Sequence, residues 1–205
     1  MTDAATQSAL QSENEFRRTF ARVFGAAPDA AQARGTLTVD CIESPVGPLI
    51  AGATSDAVAL LEFSDMKILE GQLEALRHRF TASIMPGSNH WLTQLRRQLA
   101  EYFASQRRDF ALPLQFPGTP FQEKVWSMLL QIPYGETWSY LDVAHRIGDP
   151  KATRAVGTAN GSNPIAIVIP CHRVVNASGE LGGYGGGLWR KRILLDLEKG
   201  QGKLF

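Results

Sequence analysis

The chain has 205 residues, 44% of them hydrophobic and 20% charged, and a net charge of +1. It can form one domain or two small ones around a sizeable core. It has neither the ~18 consecutive apolar residues of a membrane span nor an apolar stretch behind a basic flank, so a cytoplasmic protein without membrane contact is expected. Two cysteines, Cys41 and Cys171, exclude a disulfide framework; the scattered His78, His90, His145 and His172 show no metal-ligand spacing, so neither metal nor cofactor is expected.

Residues 1–14 are polar and predict a frayed end. Phe16, Phe20, Val23 and Phe24 fall at helical spacing and predict a helix over 13–24, stopped by Gly25 and Pro28. The pattern then changes to strands over 36–42, 49–53 and 58–63, with a turn at Ser44, Pro45, Gly47 and Pro48. Cys41 lies in the first strand and is assigned to the core. Apolar residues at helical spacing predict amphipathic helices over 68–80 and 91–103, and 110–114 returns as an edge strand because Pro113 would break a central one.

Pro117, Gly118 and Pro120 mark the clearest boundary, giving a tail over 1–34, an N-terminal α/β domain over 35–116 and a C-terminal domain over 117–205. Lysine and arginine number 11 against 13 acidic residues over 1–119, and 10 against 7 beyond it. A mildly basic C-terminal part permits nucleic-acid binding. Thr119 caps, and Pro120 begins, a helix reaching about residue 131. Ser139 and Asp142 form a capping box for a second helix ending at Gly148, and Asp149 with Pro150 starts a third over 151–160. Lys151, Arg154 and Thr158 share one face of that third helix, and Ala152, Ala155, Val156 and Ala159 another. The pair reads either as a helix-turn-helix or as an ordinary helical hairpin with solvated charges.

The run Ile165-Ala166-Ile167-Val168-Ile169 predicts a short strand buried on both faces and ended by Pro170. A thiol, Cys171, follows with His172 beside it. A thiolate is the nucleophilic form of cysteine, and a neighbouring imidazole is the usual proton acceptor. On a predicted helix over 189–199, Glu198 borders the apolar side and can orient that imidazole. Each residue also has a plain structural alternative: Cys171 and Tyr140 as core residues, Asn163 as a turn former, Glu198 as a partner of Arg190 or Lys191, and the glycines of 182–187 as a surface loop.

The run Asn163-Pro164-Ile165-Ala166-Ile167-Val168-Ile169-Pro170-Cys171-His172-Arg173-Val174-Val175 resembles the active-site signature of the methylated-DNA–protein-cysteine methyltransferases, also called O6-alkylguanine-DNA alkyltransferases. The resemblance covers 119–199 with strong motifs and 36–116 more loosely. Residues 10–200 are most similar to the C-terminal part of an Ada-type protein, and Ser12 to Pro28 resembles the last helix of an AraC-type DNA-binding domain.

The resemblance implies an α+β fold: a small ribonuclease-H-like N-terminal domain, then a mainly helical C-terminal domain with a helix-turn-helix. It implies a monomer acting on double-stranded DNA containing O6-alkylguanine, and also on O4-alkylthymine, with irreversible alkyl transfer to Cys171. His172 would act as base through a water and be oriented by Glu198. Tyr140 would donate a proton toward N3, and Asn163 would be the hinge. Arg154 would enter the duplex, with Lys151, Ala152, Thr153 and Gly157 on the same DNA-facing element. Val174 would accept from the exocyclic amine, while Tyr184 and Gly186 belong to the pocket lid. Two other readings stand beside it: a lesion-binding relative that does not repair, a group lacking the acceptor cysteine, and a cysteine hydrolase using Cys171, His172 and Glu198.

Overall fold

Alternation of apolar and polar residues makes a strand of β1 (Gly35–Ile42), in which Leu37 and Val39 are fully buried while Thr36, Thr38 and Asp40 are not. A computed structural model of the chain describes residues 35–65 and 82–200. The expected helices over 13–24 and 68–80, the polar N-terminal end and the AraC-like segment lie outside the described residues. β2 (Leu49–Ala53) and β3 (Val58–Phe63) take the expected bounds. A strand the sequence reading missed, β4 (Ala82–Pro86), completes a sheet of order β3-β2-β1-β4. β4 runs parallel to β1, with Gly35 opposite Ala82 and Val39 opposite Pro86, while the other pairs are antiparallel. Its edge position and terminal proline fit the missing donor.

Cys41 is a correction: it is half-buried at the end of β1, beside Asp40, Glu43 and Arg96, not in the core. Burial, then the charges of Glu43 and Asp40, push its thiol up to about 11. The expected strand over 110–114 shrinks to one bridge, Val58 to Leu114, with Val58 N donating to Pro113 O at 3.0 Å.

Helix α1 (His90–Phe103) is capped by Asn89, whose Oδ1 accepts from Leu92 N at 3.0 Å. The chain divides into two compact units within this helix. One runs to Arg97 and returns for Leu112–Leu114; the other comprises Gln98–Ala111 and Gln115 onward.

The second unit carries α2 (Pro120–Leu129), α3 (Tyr140–Arg146), α4 (Thr153–Gly161) and α5 (Leu188–Glu198). Thr119 with Gln122 and Ser139 with Asp142 both close capping boxes. Gly148, at φ 81, turns the chain out of α3; Asp149 caps a 3-10 turn, Pro150–Ala152, that leads into α4. Val156 and Ala159 are buried as expected, but Ala155 is exposed. Trp126 Nε1 donates to Ala159 O at 2.8 Å and ties α2 to α4.

Residues 165–169 are buried as expected, yet they form no strand. Ile167 sits at φ 71, Val168 N bonds to Ala166 O at 2.8 Å, and Ile169 N bonds to Ile165 O at 2.9 Å. The Val168 and Ile169 amides bond within the segment and that of Ile165 to Asn163 Oδ1, so the chain turns here instead of running extended, and apolar composition alone cannot distinguish such a turn from a strand. Just beyond Cys171, β6 (Val174–Val175) pairs in parallel with β5 (Trp138–Ser139).

Candidate active site

Pro170 (φ −80, ψ 59) centres a tight turn in which Cys171 N donates to Ile169 O at 2.8 Å; Cys171–Arg173 then form one 3-10 turn. This leaves the thiol inside the protein, with Cys171 only 5% exposed. Asn163 Nδ2 lies 3.0 Å from Cys171 Sγ and donates to Ile169 O at 2.8 Å, while its Oδ1 accepts from Ile165 N at 3.0 Å. One carboxamide thus holds the buried loop and touches the sulfur it leads to. Asn160, near the end of α4, donates to Cys171 O at 3.3 Å. A donor aimed at sulfur favours its anionic form.

Glu198 is the hub of a buried polar cluster. Its Oε1 accepts from Tyr102 Oη at 2.7 Å, His172 Nε2 at 2.8 Å and Arg173 Nη2 at 3.0 Å; its Oε2 accepts from Arg173 Nε at 2.9 Å and Gly135 N at 3.1 Å. Arg173 grips the carboxylate with two nitrogens and donates through Nη1 to Ile132 O at 2.6 Å. Burial alone would raise Glu198, but hydrogen bonds from His172 and Arg173, with the charge of Arg173, outweigh it and hold the carboxyl well below the usual range. Gly135, which donates to the hub, has φ 79 in the left-handed region that favours glycine, and a Cβ there would lie 3.2 Å from the backbone oxygen of Glu198.

His172 is fully buried, and burial lowers its pKa despite the opposing carboxylate. The imidazole is therefore neutral, its Nε2–H directed to Glu198 and its Nδ1 lone pair left as the basic site. Of the alternatives open in the sequence, Glu198 pairs with His172 and Arg173. Arg190 Nη1 donates to Gly186 O at 3.0 Å, and Lys191 Nζ to Val174 O at 2.5 Å and Gly182 O at 3.2 Å.

Tyr140 opens α3 and donates to Gly183 O at 3.2 Å. Burial, then the charge of Cys171, raises its pKa, so it is a neutral hydroxyl that can donate a proton. A Cβ on Gly182 would meet the Tyr140 ring at 2.7 Å, so only glycine lets this loop lie over the ring. Tyr184 is half-buried and Gly186 buried, on the same loop, and Val174 is buried directly after the thiol's turn.

Lys151 and Arg154 are exposed at the start of the α4 region; Ala152 and Thr153 are half-buried between them. Gly157 is half-buried facing Tyr140, where a Cβ would sit 3.9 Å from the ring, so it packs α4 toward α3. The sequence reading missed Arg173, Tyr102, Lys191 and Asn160. Arg173 and Lys191 had a signal in being charged within apolar segments. Tyr102 was hidden on a helix face that reads as ordinary core.

Among the described residues, no group of three His, Cys, Asp or Glu is placed to hold a metal ion, and no helix is long and apolar enough to cross a membrane. The fold and site therefore define an α+β protein with a buried, amide-held cysteine beside a histidine–carboxylate pair. Residues 120–200 match the family described as 6-O-methylguanine DNA methyltransferase, DNA binding domain, and residues 37–116 match its ribonuclease-like domain.

A Mycobacterium bovis methylated-DNA–protein-cysteine methyltransferase is 48% identical over 158 residues, covering 77% of this chain and 90% of that protein. The inducible Bacillus subtilis enzyme of the same name is 43% identical, covering 66% and 76%. The crystal structure of Mycobacterium tuberculosis OGT in complex with DNA is similar with a TM-score of 0.69 and 44% identity, over 80% of this chain and 94% of that one. The chain belongs to the methylated-DNA–protein-cysteine methyltransferase family.

Proposed function

We propose that this protein repairs DNA by direct reversal, moving a methyl or larger alkyl group from O6 of guanine in double-stranded DNA, and from O4 of thymine, to Cys171 in a single turnover. The observation that carries this reading is a buried thiol in the same unit as the exposed cationic start of α4. A thiol that is only 5% exposed cannot reach O6 within a stacked base pair, so the nucleotide must rotate out of the duplex and enter the protein. Weakened pairing at an alkylated base lowers the cost of that rotation.

Arg154 enters the duplex and fills the space left by the base, while Lys151, Ala152, Thr153 and Gly157 set how closely α4 approaches. Val174 O receives the exocyclic amine on its second lone pair, and Tyr184 and Gly186 close the loop over the base. His172, oriented by Glu198, takes the thiol proton through its Nδ1 side by way of a water. The S–C bond then forms as the C–O6 bond breaks, with the electron pair going to the base and Tyr140 protonating N3. Asn163 steadies the sulfur and links α4 to the acceptor turn. The thioether is not hydrolysed, so each molecule acts once. The protein acts as a monomer in the cytoplasm, with no cofactor.

Incubation with duplex containing O6-methylguanine should add the mass of one methyl group to the wild type and none to Cys171→Ala. No gain, or a gain that survives the substitution, overturns the assignment.

A further inference from the structure

Lys191 is fully buried, and its ammonium bonds to two carbonyl oxygens, Val174 O at 2.5 Å and Gly182 O at 3.2 Å. Among the described residues no carboxylate lies within ion-pair range of it. A buried ammonium with no counter-charge is unfavourable and tends to shed its proton. Burial pushes Lys191 down to about 8, and the charge of Cys171 acts in the opposite sense.

The remaining charges account for one another. Glu198 is ionised and Arg173 is forked onto it. His172 is held neutral by burial, and Tyr140 keeps its proton. Arg190 bonds to Gly186 O and lies over the Trp189 ring, 4.5 Å from its centre, which leaves the Lys191 ammonium and whatever charge Cys171 carries. The two are linked through a short path: Val174 N–H bonds to Cys171 O across the 3-10 turn, and Val174 O takes the lysine's hydrogen bond.

We propose that Lys191 is the counter-charge of the Cys171 thiolate, a positioning residue that keeps the sulfur anionic before the lesion arrives. This rests on Cys171 being the alkyl acceptor. In this scheme His172 passes the thiol proton outward to solvent and returns to the neutral form, leaving the Lys191 ammonium to balance the thiolate. Alkyl transfer then forms the S–C bond as the C–O6 bond breaks and turns the thiolate into a neutral thioether; the electron pair goes to the base, which takes the Tyr140 proton at N3, so the negative charge leaves the sulfur and passes to the Tyr140 oxygen until solvent returns a proton. Lys191 is left in the product without the thiolate that had balanced it.

The test uses intact protein with Cys41→Ser, so that Cys171 is the reporting thiol, and follows iodoacetamide alkylation between pH 5 and 10. Lys191→Met should displace the rate profile by about one pH unit to higher pH, so that the reaction slows by about tenfold on the acid side of the wild-type midpoint, where the thiolate fraction falls tenfold for one pK unit. Lys191→Arg should restore most of the rate. An unchanged profile in Lys191→Met, or equal slowing in both variants without displacement, overturns the proposal in favour of a purely structural lysine.

Should Lys191→Met fail to fold, the protein with native Lys191 carries the same test. With 13Cε-labelled lysine, the Lys191 titration midpoint should fall once iodoacetamide has capped Cys171, because the thiolate is gone; an unmoved midpoint overturns it. Neither measurement uses DNA. A failure here is therefore separate from a failure of Cys171 to take a methyl group, which intact mass alone decides.

Discussion

The Glu198 cluster and the exposed start of α4 are both rich in charge, yet they use it in opposite ways. Around Glu198, every charge is desolvated and forked onto a partner, with Tyr102, His172, Arg173 and Gly135 all donating to one carboxylate. Lys151 and Arg154 stand in solvent, free to meet phosphate or a duplex. Buried charge fixes geometry and is insensitive to salt, whereas exposed charge supplies attraction that salt screens. Substitutions should therefore separate the two regions by what they damage.

The largest effect belongs to the buried cluster. Glu198→Ala leaves Arg173 buried without its carboxylate and should cost about 3–5 kcal/mol, read as a lower urea midpoint, together with loss of methyl transfer. A cost under about 1 kcal/mol would mean that the cluster relaxes into solvent and that the contrast fails. The sign with pH follows from the depressed carboxyl of Glu198. Its contribution is present above the ordinary value of 4.5 and is lost only as pH falls toward its much lower folded value. Urea midpoints should thus show no loss from this group between pH 8 and 5.

Next in size is Arg154→Ala, which should slow repair of duplex O6-methylguanine by about a hundredfold, the rate equivalent of a few kcal/mol of base extrusion. Reaction with free O6-benzylguanine should stay near the wild-type rate, with no change in urea midpoint. Equal slowing on both substrates would remove Arg154 from its assigned role. Lys151→Ala should have the smallest effect. It should weaken duplex binding alike for damaged and undamaged sequence and lower the slope of log K against log salt by about one. An unchanged slope would show that this lysine touches no phosphate.

Much of the fold was legible because its signals are local. The Thr119 cap and the Ser139 capping box depend on residues within one turn, and β2 and β3 were read to the residue from short apolar runs. β4 was not legible, since five residues ending in proline carry little pattern of their own. Segment 165–169 was read as buried but mistaken for a strand, because composition reports burial and not where amides bond. In the site, Cys171, His172 and Glu198 stood out by type and spacing, and the resemblance added Asn163 and Tyr140.

The sequence by itself singled out Cys171, placed it inside the protein, and indicated which helix carries exposed cations. Only the tertiary structure decided how charge is balanced around that thiol. Tyr102 meets Glu198 from 96 positions away, and Lys191 reaches Val174 O from 17. Such pairings depend on where folded elements converge, and hydrophobic periodicity records only which face turns inward. A charged residue placed on that inward face violates the pattern locally, and its partner becomes visible only after the chain has folded.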